Sequence, residues 1–371
     1  MNSKSNTPNQ YALPHIRAMR GYIPGMQPAE PGWVKLNTNE NPYPPSPKVV
    51  SALRTLLDGD GSALRLYPNP CSGSLRRVLA EHHRVQEPQV IVGNGCDDIL
   101  NLLMRSFCDA EHLAGMMEPS YSLYSVLSTM QESPIRRVLF TRDMHLDIDE
   151  IVASGSHIFF LTNPNAPTGV HFEPEVIAQL AAAYQGILVI DETYAPFART
   201  NCIGLLDEFP NLVITRSFSK AYSLAGMRVG YGLASAQIIE ILDRVRDSYN
   251  VDAFAQVAAI AAIEDEDYYN YTITESNRLR QQYREVFEQY GWFVYPSEAN
   301  FLFVEPLDAH NRMGAEIAEG LYNFLLAEKI LVRYFPKHAL THTFLRISVG
   351  NAQEMDQLFE AIEKWRIKNN A

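Results

Sequence analysis

Four short runs constrain the fold of this chain more than anything else in it: VIVG from Val90, HIFFLT from His157, GILVID from Gly186 and NLVITRS from Asn211. Each is continuously apolar or β-branched rather than alternating. Stretches of helical spacing separate them, among them DDILNLLMRSF from Asp97 and EPEVIAQLAAAY from Glu173. A strand that is apolar at every position must be covered on both faces. Such strands alternating with helices predict an α/β protein with a mostly parallel sheet flanked by helices.

A chain of 371 residues is too long for one simple core and predicts about two domains. Residues 1–45 carry so many prolines that an irregular arm is expected. PKVVSALRTLL, from Pro47 to Leu57, has helical spacing, and SLRRVLAEHH, from Ser74 to His83, predicts a second helix capped by Ser74. Beyond about Asp267 the pattern changes. A long polar helix from Tyr268 to Tyr290 leads to NFLFVE, a further helix, ILVRYF, FLRISVG and a closing helix. The expected division is an arm at 1–45, a large α/β domain at 46–266, and a smaller α+β domain at 267–371 packed with the N-terminal segment.

A formal net charge of −12 argues against a nucleic-acid partner, which would want a basic face. Cys71, Cys96, Cys108 and Cys202 form no CxxC pair, so neither a zinc site nor a disulfide framework is expected, and a reducing cytoplasm suits them. The histidines make no metal pattern. The first thirty residues hold no apolar run and no later segment is long and apolar enough to span a bilayer, so neither a signal peptide nor a membrane anchor is expected.

In open α/β sheets ligands sit beyond the carboxyl ends of the strands, so the polar residues that end each run matter most. VIV is followed by GNGCDD, Gly93 to Asp98, which enters a helix directly. Free backbone amides and the helix dipole there can hold an anion, although a plain turn capped by Asp97 has the same sequence pattern. HIFFL ends in TNPNAPTG, a turn enforced by prolines. GILVI ends in DETY, and a carboxylate closing a buried strand is costly unless Asp191 faces a cation or a metal. NLVIT ends in RSFSKAYSLAGMRVG. Here Ser217 and Ser219 can donate to phosphate oxygens, and Arg228 can clamp a phosphate through its planar fork. Lys220 adds an amine that attacks aldehydes once deprotonated. Alone, Lys220 would be an ordinary solvated lysine. Together at one sheet edge, these groups meet the needs of pyridoxal 5′-phosphate: a cradle for its phosphate, an acid for its ring nitrogen and an amine for its aldehyde.

The blocks LNTNENPYPPSP, RLYPNP, VGNGCDD, EPSYSLY, NPNAPTG, VIDETY, SFSKAYSLAGMRVGY, NFLFV, VRYF and LRISVGN follow one another in order. With them the chain resembles, over nearly its whole length, the fold type I pyridoxal-phosphate enzymes, most closely the histidinol-phosphate aminotransferase group. The resemblance implies transfer of an amino group between histidinol phosphate and a 2-oxo acid, expected to be 2-oxoglutarate, in two half-reactions. It implies Lys220 as the residue that holds the cofactor's aldehyde and shuttles a proton, Asp191 as partner of the ring nitrogen, and Tyr194 as donor to the ring hydroxyl. Tyr121 resembles the aromatic that stacks on the ring, with a core tyrosine as the plain alternative. The backbone at Gly95, Cys96 and Asp97, with Ser217, Ser219 and Arg228, resembles a phosphate cup. Tyr67 resembles a tyrosine that reaches the cofactor phosphate of a neighbouring subunit, which implies a homodimer. Arg346 and Arg333 resemble arginines that grip the substrate's anionic group, and Tyr22 and Asn39 lie in a segment resembling the family's substrate-covering arm.

The chain departs from the group's pattern in two places. Ala166 stands where asparagine usually bonds the ring hydroxyl, so either Asn165 takes over that contact or Tyr194 acts without it. Pro44 stands where glycine is frequent, which restricts the arm. The resemblance also suggests cis bonds before Pro119 or Pro167. On the same fold, an aromatic or other amino-acid aminotransferase and an amino-acid-phosphate decarboxylase are the competing readings. A non-catalytic regulator would usually lack the lysine or carry an attached DNA-binding domain.

Overall fold

The prolines of the arm leave room for one strand, β1 (Val34–Lys35), and for short helical turns at Pro8–Tyr11 and Pro14–Ala18. The arm is therefore less irregular than its composition suggests: Pro14 sits at the start of its helix, where a missing N–H costs nothing. The computed structural model describes residues 8–58 and 60–368, so the outer ends of the expected arm and small domain lie outside the described residues.

The apolar runs become four strands of a seven-stranded sheet, one at its edge and three at its centre. β2 (Val90–Gly93), β3 (Ala114–Glu118), β4 (Ile135–Leu139), β5 (Ile158–Thr162), β6 (Ile187–Asp191), β7 (Leu212–Ser217) and β8 (Gly230–Ala234) make it up, with the runs at β2, β5, β6 and β7. The order is β2-β8-β7-β6-β5-β3-β4, parallel throughout except that β8 runs against both its neighbours. Every residue of β2, β5, β7 and β8 is buried, as strands covered on both faces must be. β4, on the edge, leaves Arg136 and Arg137 in solvent.

Helices cover both faces. Cys96–Phe107 buries Ile99, Leu100 and Leu103 completely against the sheet, each worth about 1.5–3 kcal/mol. Pro47–Leu57 starts where Ser46 Oγ accepts the Lys48 amide at 3.0 Å. The helix expected from Ser74 begins at Gly73 instead, and Ser74 is no cap. The Asn69 side chain accepts the Cys71 and Gly73 amides at 3.0 and 3.1 Å, doing the work a serine cap would have done.

A four-stranded antiparallel sheet, in order β12-β13-β10-β9, carries the C-terminal part: β9 (Phe293–Val294), β10 (Phe301–Glu305), β12 (Arg333–Tyr334) and β13 (Leu345–Ser348). ILVRYF is not one strand. Its first half, β11 (Ile330–Leu331), pairs in parallel with β1, and its second half joins β13. Val34 and Leu36 of the arm are thereby drawn into a core with Phe287, Leu302, Ile347 and Trp365.

Candidate active site

Strand register brings the polar strand ends together. Thr162 lies opposite Asp191, and Ser217 lies opposite Gly230, which lies opposite Gly93. Above this edge a cavity of about 340 Å³ is walled by the strand ends, by Arg333 and Arg346 of the small sheet and by Thr38 of the arm. The volume is at the lower end of small-molecule sites. Lys220, Asp191, Tyr194, Tyr121, Cys96 and Asp97 face it, as do Ser217, Ser219, Arg228, Arg333, Arg346, Tyr22 and Asn39.

At one end, close packing shapes a cradle. A Cβ on Gly230 would lie 2.3 Å from the Cys96 nitrogen, and one on Gly95, which has φ +84°, would lie 2.5 Å from Arg228 Nη2. These glycines let the helix Cys96–Phe107 begin against β8, with Gly95 at its N-cap and the Gly95 carbonyl accepting the Asp98 amide at 3.2 Å. Arg228 adopts φ 53°, and its Nη1 donates to Ser219 Oγ and to the Ala225 carbonyl, both at 3.3 Å. Its Nη2 is 3.5 Å from Asp97 Oδ2. Ser217 Oγ accepts the Ser219 amide at 3.1 Å, so the hydroxyl proton of Ser217 is free for an anion.

At the centre, Lys220 Nζ donates to the Thr38 carbonyl at 2.7 Å. Burial pulls the amine down from its ordinary value of 10.5 to about 8, with Arg346 and Lys35 adding to the effect and Glu40 opposing it. Asp191 closes the floor. Its Oδ2 accepts from the Tyr124 hydroxyl at 2.8 Å, and its Oδ1 accepts from Thr193 Oγ1 at 2.8 Å and the Thr193 amide at 3.2 Å. Burial pushes this carboxyl up, and those donors pull it back. Tyr194 OH accepts from Asn39 Nδ2 at 2.9 Å, which leaves its own proton to donate into the cavity. Asn39 is in turn tied to Ser348 Oγ through its amide and its Oδ1, both at 2.9 Å.

At the far end, Arg333 and Arg346 are direct cross-strand partners. Like charges placed opposite each other repel unless an anion joins them. Phe335 lies under both guanidiniums, 5.6 and 5.4 Å from its ring centre. Burial lowers the Arg346 guanidinium, whose Nη2 donates to the Asn37 carbonyl at 3.1 Å and whose Nε has no partner among the described residues. From the arm, Tyr22 packs edge-on against Tyr121 at 5.9 Å, and Tyr121 donates to Asp97 Oδ1 at 3.0 Å.

The profile of the family described as aminotransferase class I and II matches residues 31–362. The histidinol-phosphate aminotransferase of Geotalea daltonii is 42% identical over 349 residues, covering 94% of this chain and 97% of that one. The chain belongs to the histidinol-phosphate aminotransferase family. Its relative of that name from Geobacter sulfurreducens is 40% identical over 94% of this chain and 98% of its own. Among solved structures, the histidinol-phosphate aminotransferase from Sinorhizobium meliloti, in complex with pyridoxal-5′-phosphate, aligns with a TM-score of 0.86 over 96% of this chain and 98% of that one. At 24% identity, that likeness shows the fold.

For this family member, some residues singled out in the sequence fall elsewhere. Asn165 does not take over the contact that Ala166 leaves vacant. It is fully buried, its Nδ2 donates to the Pro119 carbonyl at 3.1 Å, and its Oδ1 accepts from Thr168 Oγ1 at 2.8 Å. Its amide is consumed in holding the NPNAPTG turn, and the amide beside Tyr194 comes from Asn39. Gly95 lies behind Arg228 rather than on the cavity wall. Tyr67 is 80% exposed and stacks on Tyr249 at 4.4 Å, outside the cavity of its own chain. The peptide bonds before Pro119, Pro164 and Pro167 are all cis.

Sequence reasoning passed over Thr38, Tyr124, Thr162, Thr193 and Phe335. Thr162 ends a buried strand, so the strand-end rule would have found it. Tyr124 sits in the first turn of the helix Leu123–Met130, and a tyrosine buried there needs an acceptor, which was the signal for it. Thr38 acts through its carbonyl and left no signal.

Proposed function

We propose that this protein is a pyridoxal-phosphate aminotransferase that moves an amino group between histidinol phosphate and 2-oxoglutarate. One observation carries the proposal: a half-buried lysine, with its amine lowered to about 8, faces a cavity bounded by a buried carboxylate, an arginine–serine cradle and two further arginines. The residues fit the cofactor. A phosphate suits the cradle that Gly95 and Gly230 keep open, a protonated ring nitrogen suits Asp191, and an aldehyde suits Lys220. When bound, the cofactor supplies a carbonyl that receives the amino group and a ring that draws electrons from the substrate's α-carbon.

The protein's own residues do the rest. At pH 7 a lysine of this acidity is roughly one-tenth neutral, enough to take a proton from the α-carbon and return it. Asp191 holds the ring nitrogen's proton, and Tyr194, with Asn39 behind it, donates to the ring hydroxyl. Arg333 and Arg346 bind the phosphate ester of the amino donor and then the carboxylate of the oxo acid. Tyr22 and the arm cover the opening and exclude water.

The same proposal extends to the assembly. Tyr67, with exposed Leu64 and Leu66 beside it, supports a homodimer in which this tyrosine reaches the partner's cofactor phosphate. The core around Leu302 and Trp365 takes no residue from 46–266, which supports an arm, a large domain and a small domain with the boundaries expected above. Four free cysteines support a reducing cytoplasm.

Replacing Lys220 with alanine tests the proposal. Turnover of histidinol phosphate with 2-oxoglutarate should fall by at least about 10³-fold while the circular dichroism spectrum is unchanged. Wild-type turnover in Lys220→Ala would contradict it.

A further inference from the structure

We infer that Tyr124 is a positioning residue: a directed chain of hydroxyls, Ser120 to Thr162 to Tyr124, holds Asp191 as an anion, the form that would keep a proton on the cofactor's ring nitrogen. The inference rests on the cofactor reading given above and adds to it residues that act through Asp191.

The direction of the chain follows from counting protons. Tyr124 is fully buried, with its oxygen 2.8 Å from Asp191 Oδ2 and 2.7 Å from Thr162 Oγ1. An ionised carboxylate only accepts, so the single phenolic proton goes to Asp191. Thr162 must then donate to the Tyr124 oxygen. Ser120 Oγ, 3.1 Å from Thr162 Oγ1, is left as the donor to Thr162. Each bond polarises the next, and in a buried site such a chain strengthens the final donor. The chain starts at the cavity wall, which Ser120 and Thr162 both line, and ends on the carboxylate. The strand register that sets Thr162 opposite Asp191 fixes its geometry.

Asp191 needs this support. It is 3% exposed, and burial favours its neutral form, which could not hold a proton on the ring nitrogen. Thr193 supports one oxygen and Tyr124 the other. A packing role would explain the tyrosine ring, which stacks on Phe160 at 4.8 Å and meets Tyr121 edge-on at 5.7 Å. It would not explain a hydroxyl aimed at the carboxylate, since phenylalanine would pack equally well.

The test compares wild type, Tyr124→Phe and Thr162→Val, each loaded with pyridoxal phosphate carrying an isotopic label on the ring nitrogen. The ring-nitrogen resonance is followed against pH, and cofactor affinity is measured on the emptied proteins. In wild type the nitrogen should stay protonated across the stable pH range. In Tyr124→Phe the resonance should move toward the unprotonated value, affinity should weaken about tenfold, and kcat should fall with KM little changed. Thr162→Val, which leaves the tyrosine and its ring contacts in place, should shift the same way by about threefold, and it carries the test if Tyr124→Phe does not fold. Resonances and affinities equal to wild type in the folded variants would overturn the inference and leave the cofactor reading standing. Failure of the wild type itself to bind pyridoxal phosphate would overturn both.

Discussion

Lys220 reacts only when its amine is neutral, and its surroundings are arranged to make it so. Burial, Arg346 and Lys35 act against the ammonium, while Glu40 and the Thr38 carbonyl hold it short of full release. The sign is then fixed. Lowering the amine from 10.5 to about 8 raises the neutral fraction at physiological pH by roughly 10²-fold. Uptake of pyridoxal phosphate by the emptied enzyme should therefore quicken with pH and level off above about 8. A stopped-flow rate that keeps climbing to the range of an ordinary lysine would contradict this. Asp191 was legible in the sequence because it ends a buried strand, where a polar residue has few reasons to be, and Lys220 and Arg228 because they lie in the one loop that leaves the buried strand β7. Thr38 was not, because its contribution is a backbone carbonyl brought from 182 residues away. Asn165 misled because sequence adjacency to Ala166 says nothing about where its amide points.

Individual elements carry a second pH dependence. The helix Gly73–His83 ends with His83 stacked on Tyr231 of β8, its Nε2 2.9 Å from the phenol oxygen. Burial, then Arg216 and His82, push this imidazole from 6.5 down to about 2, so it is neutral in the folded protein. The unfolded chain binds a proton there below about pH 6.5, and the folded chain does not. Stability is therefore lost as pH falls, at up to about 1.4 kcal/mol per unit. Between pH 7 and pH 5 this site should cost about 2 kcal/mol in chemical unfolding, and His83→Gln should lose correspondingly less over the same interval. Equal losses in both proteins would refute the assignment. At this scale the sequence was informative where strands were continuously apolar and less so elsewhere. AGMME in β3 has no β-branched residue and GYGLA in β8 is rich in glycine, so neither looks like a strand on its own; their neighbours in the sheet make them strands. The split of ILVRYF depends on the distant partners β1 and β13, which local pattern cannot supply.

Across the whole molecule, the cavity lies where two cores and the arm meet, and each contributes what the others lack. The large sheet supplies Lys220 and Asp191, the small sheet Arg333 and Arg346, and the arm Thr38 and Asn39. Arg280 is a half-buried link between the parts, with Nη1 donating to the Ala299 carbonyl at 2.8 Å and the Phe197 carbonyl at 3.4 Å. Arg142 with the buried Glu305 and Arg199 with Glu298 cross the same junction, each arginine reaching toward solvent. The order of sequence blocks made this assembly legible as a family pattern, but not the contacts that close it, because those join residues far apart in the chain. The central claim is that the assembled cavity transfers an amino group from a phosphorylated donor. It is tested most directly by adding histidinol phosphate alone, without an oxo acid, to the purified yellow enzyme and following its visible absorption. Rapid loss of the yellow band to the pyridoxamine-phosphate form, reversed by 2-oxoglutarate, is the predicted result. A yellow band that persists would contradict histidinol phosphate as the donor, and a protein that stays colourless with pyridoxal phosphate would contradict the whole account.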